Sequence, residues 1–267
     1  MTWDGPLPPW LKPVALVAGL ATLWIWESAR PFFQRPRGRW RHAGRNLFVA
    51  LLNTGLLALL FGAATVGVAA WAESHRTGLL HRLSLPGWGR LALAVLLLDG
   101  WLYVWHRLNH AIPLLWRFHR MHHSDREMDA TTALRFHAGE LVLSAVLRLA
   151  LIPLLGVTST QLLAHETLVV VATLFHHANI SVGRFDRWLA WGIVTPFLHK
   201  VHHSREPVET NSNYAVVFSW WDRLGRTLRQ RDDCRSLRLG LDEFDDPRWE
   251  TVVGMLSIPA AQRPSPR

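Results

Sequence analysis

Cysteine is almost missing from this sequence: of 267 residues, only Cys234 carries a thiol. A single thiol excludes a disulfide within the chain and also a four-cysteine iron-sulfur cluster. Charge is scarce too, at 18% of residues against 49% hydrophobic, and the apolar residues are blocked into long runs. That pattern belongs to a membrane protein, and the fifteen tryptophans fit it because Trp gathers at the membrane-water interface. No GxGxxG follows a strand-like run, so there is no flavin or nicotinamide fingerprint. No motif for RNA or DNA is present either. The formal net charge of +9 comes mostly from arginines near the ends of apolar runs, a placement that suits anionic lipid headgroups rather than nucleic acid. The N-terminus lacks a basic stretch and a small-residue cleavage site, which reads as a retained anchor and not a cleaved signal.

Acids are absent from residues 29–46, where Arg30, Arg35, Arg37, Arg39, Arg41 and Arg45 stand. By the positive-inside rule this loop is expected on the cytoplasmic side. Around it the apolar runs give an all-α chain of about three spans plus a helical hairpin, with a cytoplasmic helical cap. Val14 to Trp26 is a first, short run closed by Glu27 and Pro31; Leu47 to Ala72 is the clearest span; Leu91 to Trp105 returns to the cytoplasm. Leu141 to Leu155 and Leu162 to Phe175 form the hairpin arms, each about 22 Å long at helical rise and so thin against the bilayer core. Arg148 and Glu166 each lie nine residues from Val157, so they are expected to face each other at one depth. Three regions follow: residues 1–94 as membrane anchor and basic loop, 95–230 around the histidines, and 231–267 as a partly disordered tail. No solenoid-period repeat or low-complexity tract appears.

What the chain has in excess is clustered histidine. Twelve of its fifteen histidines lie between His106 and His203. His106 and His110 form HxxxH; His119, His122 and His123 form HxxHH; His176 and His177 are adjacent; His199, His202 and His203 form HxxHH again. On a helix each such spacing presents its imidazoles on one face, and neutral imidazole binds iron, zinc, copper or nickel. Counting His177 of the adjacent pair, the clusters offer at least nine ligands, too many for one ion and suited to two. Ligand type alone does not separate iron from zinc. Asp99, Tyr103, His106 and His110 step along one stripe, so Asp99 is either a carboxylate orienting a metal-bound histidine or a helix-helix hydrogen bond. His42, His75 and His81 read as structural or solvated loop residues, His165 as a packing residue, and Trp220-Trp221 as packing or an interfacial anchor. Ser124 and Ser204 lack the strained setting of a nucleophile.

These segments together resemble the sterol desaturase and fatty acid hydroxylase superfamily of histidine-rich, integral-membrane di-iron oxygenases. The resemblance covers about residues 95–230. It runs through Asp99 to His110, His119 to Ser124 (HxxHHS), Arg135 to Glu140 (RxHxxE), Phe175 to Asn179, Pro196 to Ser204 (PxxHxxHHS) and Asn213 to Thr227. It implies His106, His110, His119, His122, His123, His177, His199, His202 and His203 as iron ligands, with His137 as a tenth across the hairpin from His177. Glu140, Asn179 and Asp222 join Asp99 and Tyr103 as supporting residues, and His176 is a neighbour. Two departures stand out. Ala215 replaces a glycine after Asn213-Tyr214, and Arg226 stands before Thr227 where the family has Phe-Gly.

The resemblance implies two non-haem irons that use dioxygen to hydroxylate or desaturate a lipid (sterol-like, fatty acyl or other). The two electrons would come from a separate ferredoxin- or cytochrome-type donor, docked on the basic cytoplasmic surface. The expected location is the inner or cell membrane of a bacterium, with the metal site on the cytoplasmic side. Two other readings of the residues are a zinc-dependent membrane hydrolase or lyase, and a non-catalytic metal-binding membrane protein. A transporter would place its ligands near the bilayer midplane, whereas these lie at helix ends.

Overall fold

The computed structural model describes residues 6–34 and 38–261. Among these the secondary structure is helical, with one isolated bridge between Ser204 and Leu239. The first run forms α1 (Leu11–Ala29). α2 (Arg39–Leu57) continues through a π-helical turn at Ala58–Gly62 into α3 (Ala63–Ser74). Next come α4 (Gly87–Ala111) and α5 (Pro113–His123), then α6 (Ala138–Leu155) and α7 (Ser159–His177), a single turn α8 (Asp186–Leu189), and α9 (Pro196–His202). Among the described residues, three stretches are long and apolar enough to cross a membrane: Arg39–Arg82, Gly87–Ala111 and Ala138–Leu155. The chain is an integral membrane protein, and its long helices leave leucines such as Leu51 and Leu59 exposed on the outside of the bundle.

Arg39, Arg41 and Arg45, read from the sequence as loop, are the first turns of α2. Arg39 leaves the polar surface to pair with buried Glu27 and to cover the Trp24 ring at 3.5 Å. His42, read as a loop histidine, is likewise helical and buried. Its Nε2 lies 2.9 Å from both oxygens of Asp125 and its Nδ1 3.2 Å from Asp129. Sequence separation hid the pairings of His42, since each joins residues more than eighty positions apart.

The hairpin forms as expected. α6 ends at Gly156, whose φ of 73° is the left-handed cap that glycine adopts freely. α7 opens on a Thr158–Gln161 capping box. Arg148 meets Glu166 at 2.5 Å, and Lys12 from α1 joins them at 2.6 Å. The core does not respect a division between residues 94 and 95, which falls inside α4. Ala69 and Leu80 pack with Leu98, Ile152 and Leu162 in one cluster, and Leu23 of α1 packs with Ala133 and Leu174 in another. Residues 231–261 are built into the fold: Cys234, Leu237 and Leu239 pack on Phe32, and Phe244, Met255 and Ile258 on Val49 and Met121. Gln262 to Arg267, where the sequence suggested a disordered tail, lie outside the described residues.

Candidate metal centre

Each histidine cluster sits where a helix end is held by the local sequence. α5 begins with Pro113 at its first position, where a missing N–H costs nothing, and carries His119, His122 and His123 towards its C-terminal end. α9 begins the same way, with Pro196 at its start and the Thr195 hydroxyl capping Leu198 N. It brings His199 and His202 to its end and His203 to its cap. α4 delivers His106 and His110, and α7 ends on His177.

The four helix ends converge. His106, His110, His119, His123 and His202 form one group in which one ring nitrogen of each lies within 4.8 Å of all the others; His122, His177, His199 and His203 form a second. The groups adjoin, with the His123 and His203 rings stacked 4.5 Å apart. All nine histidines that the spacing offered are therefore brought together, and either group could hold a metal ion.

Hydrogen bonding decides how the rings face. His106 Nδ1 donates to Tyr214 O at 2.8 Å, His202 Nδ1 to Ser212 O at 2.6 Å, His177 Nδ1 to Thr173 O at 2.8 Å and His122 Nδ1 to Arg135 O at 3.3 Å. His119 Nδ1 lies 3.0 Å from the Glu140 carboxylate. A neutral imidazole that donates from Nδ1 keeps only a lone pair on Nε2. Yet Nε2 of His106 lies 3.0 Å from that of His202 and 3.1 Å from that of His119, and Nε2 of His122 lies 3.0 Å from that of His177. Lone pairs set against one another at that range repel unless a cation lies among them. His123 and His203 point the same way: both are buried, and neither ring nitrogen of either has a partner. These donors fit a bound metal. Burial holds His122, His123, His199, His202 and His203 well below the ordinary histidine pKa, so each ring is neutral near pH 7.

His137 is the exception among the expected ligands. It starts α6, and its Nδ1 accepts from Gly139 N at 3.0 Å as a helix cap, outside both groups. The one-residue step from loop to helix turns its ring away from the cluster and against Phe118. His176 also lies outside both groups, with its ring 3.9 Å from that of His199.

The supporting residues divide. Glu140 reaches a cluster histidine directly and also accepts from Asn109 Nδ2 at 3.2 Å. Asp99 touches none: it accepts from Val217 N, Phe218 N and Trp221 Nε1, pinning the loop that leads away from Tyr214. Asp222 accepts from Tyr214 N and Ala215 N and so fixes the carbonyl that holds His106. Tyr103 bonds Thr227, and Asn179 bonds the backbone of Phe33, both away from the histidines. Gly225 is where the Tyr103 hydroxyl closes, since a Cβ there would lie 1.8 Å from it. Arg226, standing before Thr227 in place of the expected glycine, has a φ of 55°, a left-handed conformation that glycine would adopt without strain.

Several residues that hold the centre escaped sequence reading. Arg135 is buried and donates to Met121 O and Ser124 Oγ, fixing the end of α5. Lys200 is fully buried and donates to Ala178 O at 2.8 Å just past the end of α7. Glu27 Oε1 accepts from Ala130 N and Asn179 N. The RxHxxE pattern was the available signal for Arg135; the other two carried none.

A model of the fatty acid hydroxylase family matches residues 91–227, just over half the chain. The chain is 29% identical over 152 residues to the ornithine lipid hydroxylase OlsE of Rhizobium tropici, covering 57% of this chain and 45% of that protein. It is 27% identical over 197 residues to an alkylglycerol monooxygenase of Danio rerio, covering 72% and 43%. It is 30% identical over 175 residues to a cholesterol 25-hydroxylase of Rattus norvegicus, covering 60% and 54%. The chain thus spans about half the length of these relatives. No solved structure matches it.

Proposed function

Because the chain belongs to the fatty acid hydroxylase family, we propose that it hydroxylates a membrane lipid, using dioxygen, two non-haem irons and two electrons from a separate donor. The observation that carries this reading is the pair of adjoining imidazole groups whose Nε2 lone pairs face one another. His106, His110, His119, His123 and His202 would hold one iron, and His122, His177, His199 and His203 the other. One group offers five imidazoles and the other the four usual at a zinc site, so it is the likeness to lipid hydroxylases and monooxygenases that favours iron over the hydrolytic alternative. Bound there, the irons would supply dioxygen activation, which no side chain of this protein can perform.

The chain's own part is to position and to exclude. The carbonyls of Tyr214, Ser212, Thr173 and Arg135 and the Glu140 carboxylate fix which ring nitrogen each histidine turns inward, keeping the donor set neutral and oriented. Burial of the rings keeps water from the centre. Arg39 at the start of α2 is tied to Glu27, and His42 one turn on pairs with Asp125 beside the end of α5, which supports a cytoplasmic position for the histidines. That basic end would suit an acidic ferredoxin- or cytochrome-type donor.

The relatives named above are hydroxylases and monooxygenases of lipids, which favours hydroxylation over desaturation. Cells with and without this gene, grown under oxygen-18, test the reading by lipid mass spectrometry. A lipid carrying one labelled oxygen only when the gene is present is expected. Identical lipid profiles under both conditions would remove the proposal.

A further inference from the structure

The membrane bundle keeps charges that the histidine centre does not use. Lys12 in α1 and Arg148 in α6 both donate to Glu166 in α7, at 2.6 and 2.5 Å. Two cations on one carboxylate leave a surplus positive charge among apolar helices, where an uncompensated charge is costly and marks a functional position. Beside the triad lies a cavity of about 220 Å³, bounded by α1, α4, α6 and α7. His165 lines it while only 6% exposed, and its Nε2 has no partner; the buried Nε of Arg148 has none either. A structural role for the triad explains the two bonds to Glu166. It explains neither the surplus charge nor the unpartnered imidazole.

We propose that this cavity receives the carboxylate end of a long-chain lipid, held by Arg148, Lys12 and His165. A carboxylate cancels the surplus charge and gives His165 the acceptor or donor it lacks. The position of the cavity then gives the site a measure of length. Glu166 stands eleven residues before His177 on α7, about 16 Å along the axis at helical rise. At the other edge of the cavity, Leu102 is one turn before His106 on α4. A lipid anchored by its acid end therefore presents a carbon about 16 Å away to the histidines, remote from the carboxyl group. This deepens the proposed hydroxylation and rests on it for the identity of the ligand as substrate.

Equilibrium binding to the metal-loaded full chain, in a neutral detergent, tests the subsite without needing dioxygen or electrons. The probes are hexadecanoic acid, its methyl ester and hexadecyl phosphate. The acid is expected to bind at least tenfold more tightly than the ester. Arg148→Met leaves Lys12 and Glu166 as a neutral pair, and His165→Phe lies outside the triad. Each variant should erase that preference while metal content stays unchanged. Equal binding of acid and ester, or a preference that survives both substitutions, would overturn the proposal. Tighter binding of the phosphate than of the acid would overturn the assignment to a carboxylate. Absence of oxygenated lipid in cells would count against the hydroxylase reading alone, because binding is read separately.

Discussion

At the scale of single residues, the centre is governed by what each histidine does with the nitrogen that faces away from it. His119 is held by a carboxylate where others are held by carbonyls, which makes Glu140 the most testable of the supporting side chains. Glu140→Ala should lower metal affinity by about 10–100-fold, and Glu140→Gln by less, because the amide oxygen still accepts from Nδ1. Metal content after dialysis against graded chelator reads this directly; unchanged retention in Glu140→Ala would show that the carboxylate does not orient His119. Eight of the nine histidines were legible from spacing alone, because i, i+3 and i+4 positions on a helix share a face whatever surrounds them; His177 was separated from its neighbour His176 only by the family resemblance. His137 was not legible, since its direction depends on its place at the start of α6. Glu27 and Lys200 were illegible for another reason: each gains its meaning from backbone atoms far away in sequence.

At the scale of elements, α4 does two jobs with one stripe. Its C-terminal end delivers His106 and His110, while Asp99 holds the 217–221 segment through three donors. That segment continues from Ser212 and Tyr214, whose carbonyls hold His202 and His106. Asp99→Ala strands those donors in a buried place and should cost about 3 kcal/mol of stability. Loss of metal should be confined to the group containing His106 and His202. Thermal melting and metal content together check this; a variant that melts like wild type would mean the loop is held elsewhere. The stripe itself was readable from the sequence, but a stripe gives a face and not a partner. Hence Asp99 could be placed on one face of α4 while its partner, a histidine or a hydrogen bond between segments, stayed open. Helix identities were likewise readable from apolar runs, whereas the start of α2 was masked by its arginines. The charge of Arg39 is taken up by Glu27 and the Trp24 ring.

At the scale of the whole molecule, the centre concentrates neutral imidazoles that would each prefer a proton once exposed. Burial depresses the pKa of His122, His123, His199, His202 and His203 below the unfolded value of about 6.5. Below that pH the unfolded chain binds more protons than the folded one, so stability present at pH 7 and above falls as pH drops. Chelator-treated protein should therefore lose melting temperature steeply between about pH 7 and 5, at up to about 1.4 kcal/mol per pH unit for each such histidine. A flat profile across that window would mean the rings are already solvated. The wrap of residues 231–261 around Met121 and Phe32 also belongs to this scale. Its amphipathic pieces show no period long enough to announce where they pack.

The central claim is that two ions sit side by side in a cage of nine histidines, and counting them is its most direct test. Iron and zinc per chain, measured by plasma mass spectrometry on protein purified in detergent, should come to two irons. Replacing both His119 and His202 with alanine should leave one, and so should replacing both His177 and His203. Fewer than two ions in the unmodified protein, or two retained in either double variant, would contradict the account.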